Sequence, residues 1–174
     1  VQFVVENAPA LLAEAVPGAT WRAALERHDY PPAVRGLLGE LMAAAALLSA
    51  ILKFNGSLTL QIQGSGPVGL AVVEATSERT LRGMAHWTGE PDPMPFPALV
   101  GEGRFVITID PREGGQRYQG IVSLEGDTVS AALENYLTRS EQLDSRIWLA
   151  ADTQHAAGML LQRLPDRPDE DADT

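Results

Sequence analysis

The sequence predicts an α+β fold in which one almost wholly apolar helix lies between sheets. Three observations carry this. First, the run from Leu41 to Leu52 contains a single polar residue, Ser49, and a helix that is apolar all round has to be enclosed by protein. Second, the segments after it alternate apolar and polar residues, or are apolar on both faces, which is strand behaviour. Third, these strands follow one another with few helices between them, which favours an antiparallel α+β arrangement over alternating βαβ units.

In chain order, Gln2 to Asn7 has the β-branched and aromatic content of a short strand. After Pro17-Gly18, Thr20 is placed to cap a helix that runs through Trp21 and Leu25 to Arg27. The central helix spans Pro32 to Phe54, with prolines where the first turn tolerates them. Asn55-Gly56 ends it, and suits either a left-handed C-cap or a hairpin. The unbroken apolar part is 12 residues, short of the roughly 18 to 20 that cross a bilayer. A buried core helix is therefore the reading adopted, and no membrane is expected as a partner.

Ser57 to Gln63 sets Leu58, Leu60 and Ile62 on one face and Thr59, Gln61 and Gln63 on the other, a strand with one wet side. Val68 to Ala75 is apolar on both faces, and Leu81 to Trp87 forms a third strand. Thr88 to Pro97 holds prolines at 91, 93, 95 and 97 and is read as irregular. Arg104 to Asp110 and Gln116 to Leu124 make a hairpin. Asp127 or Thr128 caps a second helix that ends near Arg139, with Val129, Leu133, Tyr136 and Leu137 on its apolar stripe. Arg146 to Ala151 and Gly158 to Leu164 are the last strands, so one domain is expected over residues 1–164, with an acidic, disordered tail over residues 165–174.

The net charge is −10. Five acids against Arg167 give the tail −4 and leave −6 on the body, which repels phosphate backbones and anionic membrane surfaces and sets nucleic acid aside as a partner. With no cysteine the chain has neither disulfides nor thiolate metal sites. The first residues lack the features of a secretion signal, so Asn55-Gly56-Ser57 is an accidental sequon.

Little in the sequence points to catalysis. Gly64-Ser65-Gly66-Pro67-Val68-Gly69 spells the dinucleotide fingerprint, but a strand rather than a helix follows, so these read as turn glycines. His28, His86 and His155 lie in separate elements without metal-ligand spacing. Glu40, near the start of the central helix, is the one carboxylate placed to have a raised pKa. Trp87, Met94, Phe96 and Trp148 fall outside the core helix and are the candidate apolar contact residues, unless they fold back to plug the sheet ends.

Several segments resemble the bacterial heat-shock protein 33 family of redox-regulated holdase chaperones. They are His28-Asp29-Tyr30-Pro31, Leu37-Leu38-Gly39-Glu40-Leu41, Leu52-Lys53-Phe54-Asn55-Gly56, the stretch from Leu60 to Pro67, that from Arg117 to Thr128, Arg139-Ser140-Glu141-Gln142-Leu143 and Gly158-Met159-Leu160-Leu161-Gln162. The resemblance runs from about Trp21 to Leu164, while Ala8 to Gly18 departs from the family's usual run. It implies a three-layer β/α/β sandwich, with the central helix between mainly antiparallel sheets. It also implies ATP-independent binding of unfolding proteins, a cytoplasmic location, a homodimer and no catalytic residues or bound cofactor in this region. The zinc site and four switch cysteines of the family lie in a C-terminal region that this chain does not contain. The chain is therefore expected to be a fragment or to have lost the switch, and to hold clients whatever the redox state. Trp87, Met94, Phe96 and Trp148 become candidate client contacts, and Arg139, Glu141 and Leu143 candidate dimer contacts. The alternatives are a ligand-binding or hydrolytic domain using Glu40 or a histidine, predicting a deep polar cleft, and an inert interaction module.

Overall fold

The computed structural model describes residues 2–3, 10–52, 54–141 and 144–163. The elements in order are β1 (Gln2–Phe3), β2 (Ala10–Ala15), α1 (Gly18–Glu26), α2 (Pro32–Ile51), β3 (Gly56–Gly64), β4 (Val68–Thr76), β5 (Leu81–Trp87), α3 (Phe96–Val100), β6 (Gly103–Pro111), β7 (Tyr118–Ser123), α4 (Val129–Glu141), β8 (Ser145–Ala151) and β9 (Ala156–Gln162). Two antiparallel sheets form, one in the order β1-β2-β9-β8 and the other β5-β4-β3-β6-β7. Helix α2 lies between them, against β9, β8 and β2 on one side and β4, β5 and β3 on the other, and α4 packs beside it on β8. The predicted three-layer sandwich is the observed one.

The alternation in β3 sets the inner face of the five-stranded sheet. Leu58, Leu60 and Ile62 are fully buried against α2, with Ala71, Val73 and Ala75 of β4 and Phe105 and Ile107 of β6 beside them in register. Each large apolar side chain buried here contributes roughly 1.5 to 3 kcal/mol. On the opposite side Leu12, Ile147 and Leu160 close the four-stranded sheet onto the same helix. Close approach needs glycine: a Cβ at Gly158 would lie 2.7 Å from Leu47 of α2, and one at Gly39 2.4 Å from Ala151 of β8 and 3.0 Å from the Trp21 ring. Trp21 is itself fully buried and donates through Nε1 to the Asp152 carbonyl at 3.0 Å, fastening α1 to the β8–β9 turn.

The structure corrects several details. Strand β2 lies where no element was expected, because Ala-Leu-Leu-Ala-Glu-Ala has no strand preference of its own. Its pairing with β9, Ala10 to Ala15 against Gln162 to Ala157, overrides local propensity. Of the segment read as the first strand, Gln2 and Phe3 are in β1 and Asn7 lies outside the described residues. Thr20 sits inside α1, whose N-cap is Pro17, so it caps nothing. Helix α2 stops at Ile51 and Leu52 turns extended; Gly56 is therefore no C-cap. Its φ of +152° and a Cβ position 2.0 Å from the Asp110 carbonyl explain the glycine instead. The proline-rich stretch does contain regular structure: Phe96 opens the short helix α3, with Pro95 and Pro97 at positions where the first turn tolerates proline. Thr128 performs the predicted cap on α4, its Oγ1 accepting from the Ala131 amide at 3.1 Å.

Helix α2 is not buried on every face, for Ala50 is exposed and Glu40, Ala46 and Ser49 are half-buried. Its 20 residues are long and apolar enough to span a membrane by length and composition, yet Leu38, Leu41, Met42, Ala43, Ala44, Ala45 and Leu47 are fully enclosed by the two sheets. The acidic tail over residues 165–174 lies outside the described residues.

Candidate functional site

The inner faces and α2 fill the core, and the outer faces of the two sheets are broad surfaces that the core does not use. On the five-stranded sheet, strand register assembles a row that crosses all five strands: Met84 of β5, Val72 of β4, Gln61 of β3, Val106 of β6 and Ile121 of β7. Leu70 and Gln63 flank it on one side, and Thr59, Thr108 and Gln119 on the other. Gln119 Nε2 donates to Thr108 Oγ1 at 3.2 Å across β6 and β7. The central row itself carries no charge; in the rows beside it Glu74 of β4 pairs with Arg82 of β5 at 2.8 Å, and Arg104 of β6 stands next to Gln63. Ile121 remains 54% exposed at the edge of the sheet. At the opposite edge a cavity of about 360 Å³ opens among Arg27, His28, Tyr30, Val72, Glu74 and Met84.

The outer face of the four-stranded sheet is more apolar still. One row is Ala13, Met159 and Trp148, and the next is Ala15, Ala157 and Ala150. Leu161 follows beside Arg146, the only charged side chain that β8 and β9 turn outward within this pattern. Trp148, paired in register with Met159, is 49% exposed.

The four predicted contact residues are not brought together. Trp148 is on the four-stranded sheet, whereas Trp87, Met94 and Phe96 cluster in sequence around the end of β5 and the start of α3. Trp87 and Phe96 are half-buried and fold back onto the core, Trp87 with its ring 5.4 Å from that of Tyr30. Met94 is 37% exposed. Tyr118 and Ile121, exposed on β7, escaped the sequence reading, as did Val72 and Met84. The available signal was the two-sided apolar pattern of Val68 to Ala75, which indicated a strand in need of cover on both faces. Of the predicted dimer contacts, Arg139 pairs with Glu125 at 2.9 Å. Leu143 and the side chain of Glu141 lie outside the described residues.

The candidate catalytic groups remain scattered. Burial pushes the Glu40 carboxyl up to about 7, as a hydrolytic site would require. However, a cavity of about 740 Å³ between α4 and the β8–β9 edge is lined by Glu134, Asn135, Thr138, Asp144, Arg146 and Arg163 among others, not by Glu40. His28 stacks edge-on against Tyr30, His86 is exposed on β5, and His155 lies 3.6 Å from Asp152. Among the described residues no group of three or more His, Cys, Asp or Glu is placed to hold a metal. The fingerprint glycines form the β3–β4 turn. Gly66 donates to the Val100 carbonyl at 2.9 Å, and a Cβ at Gly64 would fall 2.2 Å from the same oxygen. The turn is thus closed by backbone contact with the end of α3.

Comparison with known proteins shows the family and the fold. The profile of the family described as Hsp33 protein matches residues 1–174. The 33 kDa chaperonin of Methylobacillus flagellatus is 50% identical over 169 residues, covering 97% of this chain and 58% of the relative. That of Chromobacterium violaceum is 50% identical over 167 residues, 95% of this chain and 57% of the relative. The chain therefore spans a little over half the length of the curated relatives it matches. Its fold is also that of the crystal structure of the 33 kDa chaperonin from Thermotoga maritima, with a TM-score of 0.72 at 23% identity over 87% of this chain and 56% of the other.

Proposed function

The chain belongs to the Hsp33 protein family, and from that membership we infer that it acts as an ATP-independent holdase, capturing unfolding proteins on its outer sheet faces and keeping them from aggregating. The observation that carries this reading is the uncharged row of side chains that crosses the outer face of each sheet. A chain of net charge −10 leaves the centres of two broad β-faces uncharged and partly apolar. Flat faces of this kind accept exposed apolar segments of many sequences, while the surrounding negative charge keeps a loaded complex soluble. The raised Glu40 carboxyl fits an acid desolvated in a half-buried place.

The active form is a homodimer and works in the cytoplasm. Client binding by this chain is independent of thiol redox state, since it contains no cysteine, and it needs no metal. The test is light scattering from a thermally unfolding client, with and without the purified chain, in reductant and without ATP. Suppression at near-stoichiometric ratios is the expected result. Aggregation that proceeds unchanged beside a folded chain, or suppression that reductant abolishes, would contradict the reading.

A further inference from the structure

Tyr118 of β7 and Tyr136 of α4 meet hydroxyl to hydroxyl at 2.9 Å. The first is 45% exposed and the second almost fully buried. Both phenols converge over Gly120. A Cβ at that position would lie 2.9 Å from the Tyr136 hydroxyl, 3.1 Å from the Tyr118 hydroxyl and 2.8 Å from Cε2 of Tyr136, a ring carbon ortho to its hydroxyl. Any side chain at position 120 would separate the pair. Two phenols joined ortho to ortho keep their oxygens at hydrogen-bonding separation, so the native contact already has the oxygen spacing of a biphenol.

We propose that Tyr118 and Tyr136 form an intramolecular oxidative cross-linking site, coupled to dityrosine by one-electron oxidants such as peroxidase-activated hydrogen peroxide. Tyr118, open to solvent, is the entry point, and the shared hydrogen bond passes oxidation and proton inward to Tyr136. Each phenol gives up one electron and its hydroxyl proton. A carbon–carbon bond then forms between one Cε of each ring, and the two ortho protons move to the oxygens and restore the hydroxyls. The chain loses two hydrogen atoms, and one hydrogen peroxide takes up those two electrons and two protons to become two waters. The product ties the edge strand β7 to the helix layer through α4, in addition to the Arg139–Glu125 ion pair and the Asn135 hydrogen bond to the Glu125 carbonyl at 3.2 Å. Tyr30, the third tyrosine of the chain, packs between His28 and Trp87 and serves as the internal reference.

The test is to treat the dilute folded chain with a haem peroxidase and hydrogen peroxide, then read dityrosine fluorescence and the masses of cross-linked proteolytic peptides. Expected are dityrosine in the monomeric chain, a linked peptide pair carrying Tyr118 and Tyr136, and an upward shift of the denaturant midpoint. The signal should fall to background in Tyr118→Phe and Tyr136→Phe, each checked for folding by circular dichroism, and in the chain unfolded by urea. It should persist in Tyr30→Phe. Dityrosine found only in covalent dimers, an undiminished yield in folded Tyr118→Phe, or no dityrosine in the folded wild-type chain would overturn the proposal.

Discussion

The Asp92 carboxylate accepts a hydrogen bond from the Ala33 amide at 2.7 Å, so the first turn of the central helix is capped by a loop residue 59 positions away. Helix α2 has no side-chain cap of its own, because Pro31 occupies the N-cap position and Pro32 follows. The proline-rich loop between β5 and α3 therefore supplies what the helix sequence lacks. Asp92→Ala should lower stability by about 1 kcal/mol, the usual worth of an N-cap, and Asp92→Asn by less, since the acceptor is kept. Urea titration of the two variants is the check, and an unmoved midpoint in Asp92→Ala would show the cap to be idle.

Two glycines of α2 separate propensity from packing. Nothing lies within 4 Å of a Cβ at Gly36, whereas at Gly39 it meets Ala151 and the Trp21 ring. Gly36→Ala should stabilise the chain by roughly 0.5 to 1 kcal/mol through helix propensity. Gly39→Ala should destabilise it by about 1 to 3 kcal/mol, because overpacking outweighs the same gain. Equal melting shifts of one sign in both variants would refute the helix–sheet packing described.

Glu40 makes stability depend on pH. Its carboxyl ordinarily titrates near 4.5, and burial pushes it up to about 7 in the folded chain. Between these values the native state holds a proton that the unfolded state has released, so stability declines as pH rises from about 4.5 to about 7 and levels off above. Glu40→Gln should remove this slope and leave the variant more stable than wild type above pH 7, by about 2 kcal/mol after allowance for partial solvation. Denaturation midpoints measured across that pH range decide it; parallel profiles for the two chains would be the contrary result.

Glu134 guards an edge. Its Oε1 accepts from the Ile147 amide of β8 at 2.7 Å, and Oε2 lies 3.7 Å from Arg146. The amide would otherwise be a free donor on the outermost strand of the four-stranded sheet. Glu134→Ala should cost roughly 1 to 2 kcal/mol for the lost charged acceptor and promote edge-to-edge association. Sedimentation velocity would detect the association, which Glu134→Gln, retaining an acceptor, should largely avoid.

Much of the fold was legible in the sequence because period and burial coincide there. The alternation of Leu58, Leu60 and Ile62 and the apolar run of α2 leave few other arrangements. Strand β2 was not legible, since its alanines and leucines take their conformation from β9. The outer faces were legible only in part. A sequence shows that Val72 and Trp148 are apolar, but not that strand register aligns Val72 with Met84, Val106 and Ile121 in one row. For a related reason the sequence left open whether Trp87 and Phe96 stay exposed or fold back onto the sheet ends. Residues beside an irregular, proline-rich loop look exposed, and only the tertiary placement of Tyr30 and the core turns them inward.

The most direct measurement is the fluorescence anisotropy of a labelled, permanently unfolded client titrated with this chain and with two double variants, Val72→Lys/Ile121→Lys and Trp148→Lys/Met159→Lys. The side chains altered all belong to the outer faces, so the variants should fold as wild type does. Capture on the sheet faces predicts that client affinity falls in at least one variant and is restored in neither by reductant or oxidant. Wild-type affinity in both folded variants would contradict it and place client binding elsewhere on the molecule.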